Sequence, residues 1–351
     1  MPSSMQLPAN LMEYNQQLQR CIEAMGGLDK VETGGTPRDT VYRENKLVLY
    51  RYRAQKKSHT KRIPLLIVYA LVNRPYMMDL QPDRSTIRGL LDAGLDVFMI
   101  DWGYPESSDR LLGLDDYING YIDHCVDHIC ETLKIKKLNV LGVCQGGTFS
   151  LCYVALQPAK ISNLVTMVTP VDFHTPDNLL ARMVKRVDVD SLVDAFGNVP
   201  GELLNWLFLS LKPFRLTTQK YVNLLDIMDN KQKLENFVRM EKWIADSPDQ
   251  AGEAFRQFIG DFFQENKLIT GGLKIGDHAV DLKKIKHPVL NVFASEDHLV
   301  PPAASKALKS QVGSDDYSEL EFRGGHIGIY VSSRAQDQIP AAIGDWLTAR
   351  S

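Results

Sequence analysis

Short apolar runs alternate with helix-length amphipathic stretches over the first half of the chain. After an extended stretch at 46–53, four runs of near-continuous apolar character have the length of buried strands, at 63–70, 95–101, 138–143 and 161–169. Between the second and third runs, apolar residues recur every three or four positions, which predicts a helix with one face packed on a sheet. Buried strands that alternate with such helices indicate a parallel sheet covered on both faces.

The alternation stops over 175–285, where the pattern is helical and shows no convincing strand. It resumes with the apolar run 288–294, a helix from about Pro301, a strand around 320–322 and a closing helix that ends at Thr348. The pattern therefore predicts one α/β domain with a helical cap inserted before the last two strands.

A chain of 351 residues has the length of roughly two domains, or of one domain with an insertion. The interrupted strand pattern favours the insertion. Eight of the 13 phenylalanines lie in the inserted segment, which is consistent with a cap over an apolar pocket or against a partner. The predicted units are an N-terminal segment at 1–45, of which the first ~40 residues are polar and helix-like, an α/β core at 46–174 and 286–351, and the cap at 175–285.

Composition limits the class of protein. The hydrophobic fraction of 44% and the charged fraction of 24% are those of a soluble globular chain, and the net charge of −3 offers no basic field to nucleic acid. The longest apolar run, at 65–72, is far shorter than the ~18 residues of a membrane span. Five cysteines without a CxxC pair, and no secretory signal at the N-terminus, predict a reducing, cytoplasmic location.

The strongest local motif is GVCQGG at 142–147, which follows the apolar run 138–143 and precedes a helix-like stretch. A G-x-nucleophile-x-G sequence between strand and helix predicts the nucleophile elbow of the α/β-hydrolase fold. Small neighbours let strand and helix approach, while the nucleophile projects at the end of the sheet. Cys144 is then the nucleophile, and the backbone N–H of Gln145 and the helix N-terminus face the same point.

A second donor to the oxyanion hole is expected from the loop after the 63–70 run. That loop reads Leu-Val-Asn-Arg-Pro, and the backbone N–H of Val72 is the candidate. A simple crossover connection is the alternative interpretation of this loop.

A thiol nucleophile needs a base, and the base needs an acid to orient it. In this fold the chain order is nucleophile, acid, histidine. Asp297 follows the apolar run 288–294, and His326 lies in a glycine-rich loop after the last predicted strand. Cys144, Asp297 and His326 therefore have the order and the strand-end positions of a catalytic triad.

Other residues compete for these roles. Asp172 follows the 161–169 run, which is a second place from which this fold can supply the acid. Asp297 is favoured because a turn and a proline-started helix follow it. Glu296 is expected to point away from its neighbour, and His298 to hydrogen-bond within its loop.

His124 and His128 lie four residues apart on the predicted amphipathic helix, a spacing that metal sites use. The sequence offers no third ligand beside them, so a solvated helix face is the better interpretation. We accordingly predict no metal site and no cofactor.

Several segments of the chain carry a further signal when they are taken together: GVCQGG, YALVNRPYMMDL from Tyr69, DWGYP from Asp101, ASEDHLVPP from Ala294 and GGHIG from Gly324. These segments resemble the polyhydroxyalkanoate synthases. The resemblance extends at least from about Lys46 to the C-terminus, and the chain length is similar to that of the catalytic C subunit of the class III enzymes.

The resemblance implies that Cys144 is the nucleophile, His326 the general base and Asp297 the third member of the triad. It implies an acyltransferase that polymerises (R)-3-hydroxyacyl-CoA, with 3-hydroxybutyryl-CoA as the expected monomer, and releases CoA. It also implies a companion E subunit, a homo- or hetero-oligomeric assembly, and work at the surface of cytoplasmic polyester granules.

The chemistry favours cysteine independently of the resemblance. Transfer of an acyl group from CoA to a thiol exchanges one thioester for another, so the acyl group stays reactive enough to pass to a hydroxyl. A serine would form an oxygen ester and dissipate that driving force. Two alternatives share the fold and are kept: a cysteine thioesterase or hydrolase, and a binding protein with a degenerate elbow.

Overall fold

A computed structural model describes residues 32–54, 63–212, 227 and 230–351. Near-continuous apolar runs form the central strands of an eight-stranded sheet, because both faces of that sheet are covered. Its strands are β1 Arg38–Glu44, β2 Leu47–Tyr52, β3 Ile63–Val68, β4 Leu95–Asp101, β5 Leu138–Val143, β6 Ile161–Met167, β7 Val289–Ala294 and β8 Tyr317–Phe322.

The strand order across the sheet is β1-β2-β4-β3-β5-β6-β7-β8. The six strands from β3 to β8 run parallel, while β2 is antiparallel to both β1 and β4. The carboxyl ends of β3, β5, β6, β7 and β8 therefore meet at one edge. The mostly parallel sheet predicted from the sequence is confirmed.

Successive residues of one strand point to opposite faces of the sheet and enter different cores. In β3, Leu66 and Val68 join a core that includes the helices at 123–133 and 145–156, whereas Leu65 and Ile67 join a core that includes the helices at 86–92 and 333–348. The helices are α1 Thr86–Asp92, α2 Asp123–Leu133, α3 Gln145–Leu156, α4 Leu179–Val184, α5 Val189–Phe196, α6 Gly201–Leu211, α7 Lys231–Ala245, α8 Gly252–Gln257, α9 Lys267–Thr270, α10 Pro302–Lys306, α11 Leu308–Gln311, α12 Gly328–Val331 and α13 Ser333–Thr348.

Helices α4 to α9 lie between β6 and β7, where the sequence predicts an inserted helical cap. The exact boundaries at 174/175 and 285/286 stay predictions. Two π-helical segments extend the α-helices, Asp116–Ile122 before α2 and Phe258–Gln264 after α8. Among the described residues, none of the helices has the length and apolarity needed to cross a bilayer.

The structure contains strands that the sequence analysis did not predict. Residues 38–44, at the end of the N-terminal segment, form β1; most of that segment, at 1–31, lies outside the described residues. The inserted segment also contains a short hairpin whose two strands have two residues each, Lys274–Ile275 and His278–Ala279. β1 pairs with β2 alone and is only partly buried, so its polar sequence carried no apolar signal.

Candidate active site

The turn between β5 and α3 holds Cys144 in a strained conformation. Its backbone angles are φ 53° and ψ −123°, outside the regions that a residue with a side chain normally adopts. Its N–H donates to the carbonyl of Met167 on β6 (2.9 Å), and its carbonyl accepts from the N–H of Gly147 (2.9 Å). Bonds on both sides hold the turn, and the half-buried sulfur sits at the carboxyl edge of the sheet.

The glycines around Cys144 are required by close packing. A Cβ on Gly142 would lie 2.5 Å from the Cα of Gly147, one on Gly146 would overlap the carbonyl oxygens at the end of β3, and one on Gly147 would overlap the side chain of Thr169. Side chains at these positions would push α3 away from β3, β5 and β6. The GxCxGG pattern thus follows from the approach of one helix to three strands.

Asp297 and His326 form a buried pair at the same edge. The Nδ1 of His326 lies 2.7 Å from Oδ2 of Asp297, and Oδ1 of Asp297 accepts from the N–H groups of Leu299 (2.8 Å) and Val300 (2.9 Å). Both residues are at least nine-tenths buried. Asp297 follows β7, and His326 comes from the loop after β8, which the bond from the Glu296 N–H to the Gly324 carbonyl (2.8 Å) ties to β7.

The sulfur of Cys144 lies close enough to the imidazole of His326 to affect its charge. Burial acts to lower the pKa of His326, but the Asp297 carboxylate and the Cys144 sulfur more than offset it and raise this pKa to about 10. The three residues predicted from chain order are therefore in one continuous chain of side-chain contacts.

The competing residues face elsewhere. Asp172 accepts hydrogen bonds from the His174 N–H (2.9 Å) and from Nδ2 of Asn266 (3.0 Å), on the cap side of the sheet edge. Glu296 is exposed and lies 3.8 Å from Arg323 Nε, so it points away from the buried pair. His298 is half-buried.

The histidines of α2 have structural contacts. His124 Nδ1 lies 2.8 Å from Oε2 of Glu44 on β1, and the ring of His128 packs at 5.2 Å from that of Tyr42. In the described ranges, no group of three or more histidine, cysteine or acidic side chains is arranged to hold a metal ion.

Two donors predicted for an oxyanion hole lie on facing elements. The N–H of Gln145 is the first of α3, and Val72 follows β3 in a loop that packs against the same helix. The N–H of Leu71, one residue earlier, donates to Oε1 of Gln145 (3.0 Å). That side-chain contact was not predicted from the sequence, because a glutamine after the nucleophile reveals only its backbone role.

Several aromatic residues belong to the buried cluster against which Cys144 packs. Cys144 packs against a buried cluster that contains Tyr69, Tyr330 and the cap residue Trp243. Burial raises the pKa of both tyrosines well above its ordinary value, so both phenols stay neutral. Trp243 on α7 donates from Nε1 to the carbonyl of Arg74 (2.8 Å), which places a cap helix over the loop after β3. Of these three residues, Tyr69 alone had a signal in the sequence, namely its position at the start of the YALVNRP segment.

Comparison with known proteins defines the class first. A family model described as the alpha/beta hydrolase fold matches residues 63–333. Solved structures with this architecture include the monoacylglycerol lipase of Paleococcus ferrophilus (TM-score 0.52, 16% identity, 88% of this chain and 100% of that one) and a chain from a study of LipS and LipT, two metagenome-derived lipolytic enzymes (TM-score 0.51, 15% identity, 82% and 94%). At such identities the likeness shows the fold alone. The predicted α/β-hydrolase fold is confirmed.

Comparison with named proteins places the chain in a narrower family within this fold class. A model of the poly-beta-hydroxybutyrate polymerase (PhaC) N-terminus matches residues 8–90. Proteins named poly(3-hydroxyalkanoate) polymerase subunit PhaC are similar over nearly the whole chain: 60% identity in Allochromatium vinosum (98% of this chain, 97% of that protein), 58% in Thiocystis violacea (98% and 97%) and 51% in Synechocystis sp. (97% and 92%). The chain belongs to the PhaC family of polyhydroxyalkanoate polymerases, enzymes of the acyltransferase type.

Proposed function

We propose that this chain polymerises (R)-3-hydroxyacyl-CoA, with 3-hydroxybutyryl-CoA as the expected monomer, through a covalent thioester on Cys144. The observation that carries the proposal is the contact chain from Asp297 through His326 to a cysteine at the elbow. A cysteine there keeps the acyl group activated, which polymerisation requires and hydrolysis does not.

In the first step, Cys144 attacks the thioester carbonyl of the monomer as the thiolate, with its proton held by His326. The N–H groups of Gln145 and Val72 stabilise the negative charge that develops on the carbonyl oxygen. The bond between the carbonyl carbon and the CoA sulfur breaks, and His326 returns its proton to the departing CoA thiolate. The acyl group is then held as a thioester on Cys144.

In the elongation step, the hydroxyl of a second hydroxyacyl unit attacks the carbonyl carbon of the thioester on Cys144. His326 accepts the hydroxyl proton, Asp297 stabilises the imidazolium that forms, and the bond to the Cys144 sulfur breaks as the new ester forms. The conversion of a thioester to an oxygen ester drives this step forward. The sulfur leaves as a thiolate and regains the proton from His326.

The partners belong to the same proposal: a companion E subunit, a homo- or hetero-oligomer, and the surface of a polyester granule in the cytoplasm. Most cap aromatics pack inward, as Phe258 and Phe262 do against Phe173. Two aromatic residues in the described part of the cap are exposed instead: Trp206 is 70% exposed and Phe196 is 55% exposed. Such side chains favour burial against a partner. We expect Trp206→Ala to weaken co-purification with an E subunit, and unchanged co-purification would contradict this role.

One experiment separates the proposed polymerase from the thioesterase and from a binding protein. The protein is incubated with 3-hydroxybutyryl-CoA, alone and with a class III E subunit, and thiol release and products are measured. Thiol release with insoluble polyester supports the polymerase, release with free acid supports the thioesterase, and no release supports the binding protein. Cys130→Ala is the matched control for Cys144→Ala, because burial raises the pKa of Cys130 and keeps it an unreactive thiol.

A further inference from the structure

Two buried glutamines hold the peptide groups of Leu71 from opposite sides. The N–H of Leu71 donates to Oε1 of Gln145 (3.0 Å), and the carbonyl of Leu71 accepts from Nε2 of Gln250 (3.0 Å). Gln145 belongs to the elbow helix α3, whereas Gln250 lies in the inserted segment between α7 and α8. The loop after β3 is therefore clamped between the nucleophile's own helix and the cap.

The bond from Gln250 fixes the direction of a different group. The carbonyl of Leu71 and the N–H of Val72 belong to one planar trans peptide, so the N–H points opposite to the carbonyl. A donor that holds the carbonyl from one side thereby aims the Val72 N–H to the other side. Among the described residues, no acceptor takes the Val72 N–H, while the Leu71 N–H is already taken by Gln145. Of Leu71 and Val72, it is therefore Val72 whose N–H is available to a ligand.

Gln250 is itself held firmly. Its backbone exchanges two hydrogen bonds with Val199 (2.8 and 2.9 Å), and its Nε2 also donates to the carbonyl of Pro248 (3.3 Å). Because Nε2 contacts two carbonyl oxygens, the amide orientation follows from the bonding pattern. The side chain is 4% exposed, so water does not compete for the Leu71 carbonyl.

From this geometry we infer that Gln250 is a positioning residue, which holds the Val72 N–H toward the carbonyl oxygen of the acyl group on or near Cys144. The inference rests on the proposed acyl transfer. The cap then takes part in forming the oxyanion hole. Gln250 does not touch the substrate, but it orients the peptide group whose N–H, on Val72, stabilises the transition state.

The test compares two reactions of the same sulfur. Acylation of Cys144 by p-nitrophenyl butyrate develops negative charge on a carbonyl oxygen, whereas its alkylation by iodoacetamide does not. Loss of one oxyanion donor slows acyl transfer by about 10²–10³-fold, so we expect its mere misalignment in Gln250→Leu to slow acylation by roughly 10- to 100-fold. The alkylation rate and the KM for 3-hydroxybutyryl-CoA should stay close to those of the wild type.

Gln264→Leu is the matched control, because Gln264 also lies in the inserted segment and also donates Nε2 to two carbonyls, those of Val184 and Val187. It should leave both reactions unchanged. Equal slowing of acylation and alkylation in Gln250→Leu, or an acylation rate equal to that of Gln264→Leu, would overturn the inference. If the leucine variant does not unfold cooperatively, Gln250→Glu replaces it, since glutamate keeps the length of the side chain and its carboxylate cannot donate.

The ester probe separates this inference from the proposed function. A wild-type protein that releases p-nitrophenol but makes no polyester from 3-hydroxybutyryl-CoA would refute the polymerase. The comparison of Gln250 and Gln264 variants would still decide the positioning role.

Discussion

Asp297→Asn is the substitution whose consequences follow most directly from the site. In the wild type, one carboxylate oxygen accepts two backbone N–H groups and the other faces Nδ1 of His326 at 2.7 Å. In the variant, the amide oxygen keeps the two backbone bonds and the NH₂ group takes the position beside His326. Nδ1 must then accept, which leaves the proton on Nε2, so the imidazole has no lone pair to take a proton from Cys144 or from a hydroxyl.

The same exchange in a Ser-His-Asp triad lowers kcat by about 10⁴-fold, and we expect a loss of about 10³–10⁴-fold in elongation. Acylation should fall less, because a thiol gives up its proton far more easily than an alcohol. Stability should fall as well, by about 3–5 kcal/mol near pH 6, since the charged His326 loses its buried partner.

The pH dependence of that loss has a definite sign. The pKa of His326 is raised from an unfolded value of about 6.5 to about 10 in the folded protein. Its charged form therefore stabilises the wild type fully below about pH 6.5, and this contribution is lost as pH rises toward about 10. The difference in free energy of unfolding between wild type and Asp297→Asn should shrink across that interval.

Denaturant unfolding at several pH values measures this difference, and rapid-quench acylation and polymer assays measure the two rates. Asp172→Asn is the control, because the hydrogen bonds of the Asp172 carboxylate within the described part of the chain go to His174 and Asn266. This substitution should leave elongation and its pH dependence unchanged. A stability difference that grows with pH would refute the assignment of the buried pair. Elongation that survives Asp297→Asn but not Asp172→Asn would show that the wrong acid was chosen.

Two further substitutions test the packing at the elbow and a buried hydrogen-bond network. Gly147→Ala should destabilise the protein by about 1–3 kcal/mol and impair acylation, because the added Cβ overlaps the side chain of Thr169. The control Gly260→Ala, whose Cβ meets open space, should be neutral or slightly stabilising. Thermal unfolding of both variants checks this, and equal effects would contradict it. Asp79→Ala should lower the free energy of unfolding by about 3 kcal/mol. The Asp79 carboxylate accepts three buried hydrogen bonds, from the Ser85 hydroxyl (2.5 Å) and from the N–H and hydroxyl of Thr36 (2.9 and 2.7 Å), and the variant leaves these donors without their acceptor. A loss below about 1 kcal/mol in a denaturant titration would refute this contribution to stability.

The central strands were predictable because parallel strands buried on both faces carry continuous apolar sequence. β4 and β5 have the predicted bounds, and β3 and β6 end two residues earlier than expected. β1 was missed because this edge strand is only partly buried, and its sequence RDTVYRE has just two apolar residues, Val41 and Tyr42, which are adjacent and do not alternate with polar ones. The π-helical segments carry no separate signal, since their apolar spacing merges with that of the adjoining α-helices.

The site, like the fold, has a part that could be predicted from the sequence and a part that could not. Cys144, Asp297 and His326 were predictable because each follows its own strand, and the fold brings those strand ends to one edge. The clamp on Leu71 was not, because Gln250 lies 179 positions from Leu71 and its bond joins a side chain to a backbone carbonyl. Side-chain-to-backbone bonds between distant segments depend on the tertiary fold and leave no periodic or local pattern.

Every proposed role depends on an acyl thioester at Cys144. The most direct measurement is mass spectrometry of peptides from protein quenched in acid milliseconds after mixing with 3-hydroxybutyryl-CoA, with CoA release followed in parallel. We expect a hydroxybutyryl adduct on the peptide that contains Cys144, removable by neutral hydroxylamine, together with one equivalent of CoA, and neither in Cys144→Ala. CoA release and polyester formation that persist in Cys144→Ala would contradict the covalent mechanism.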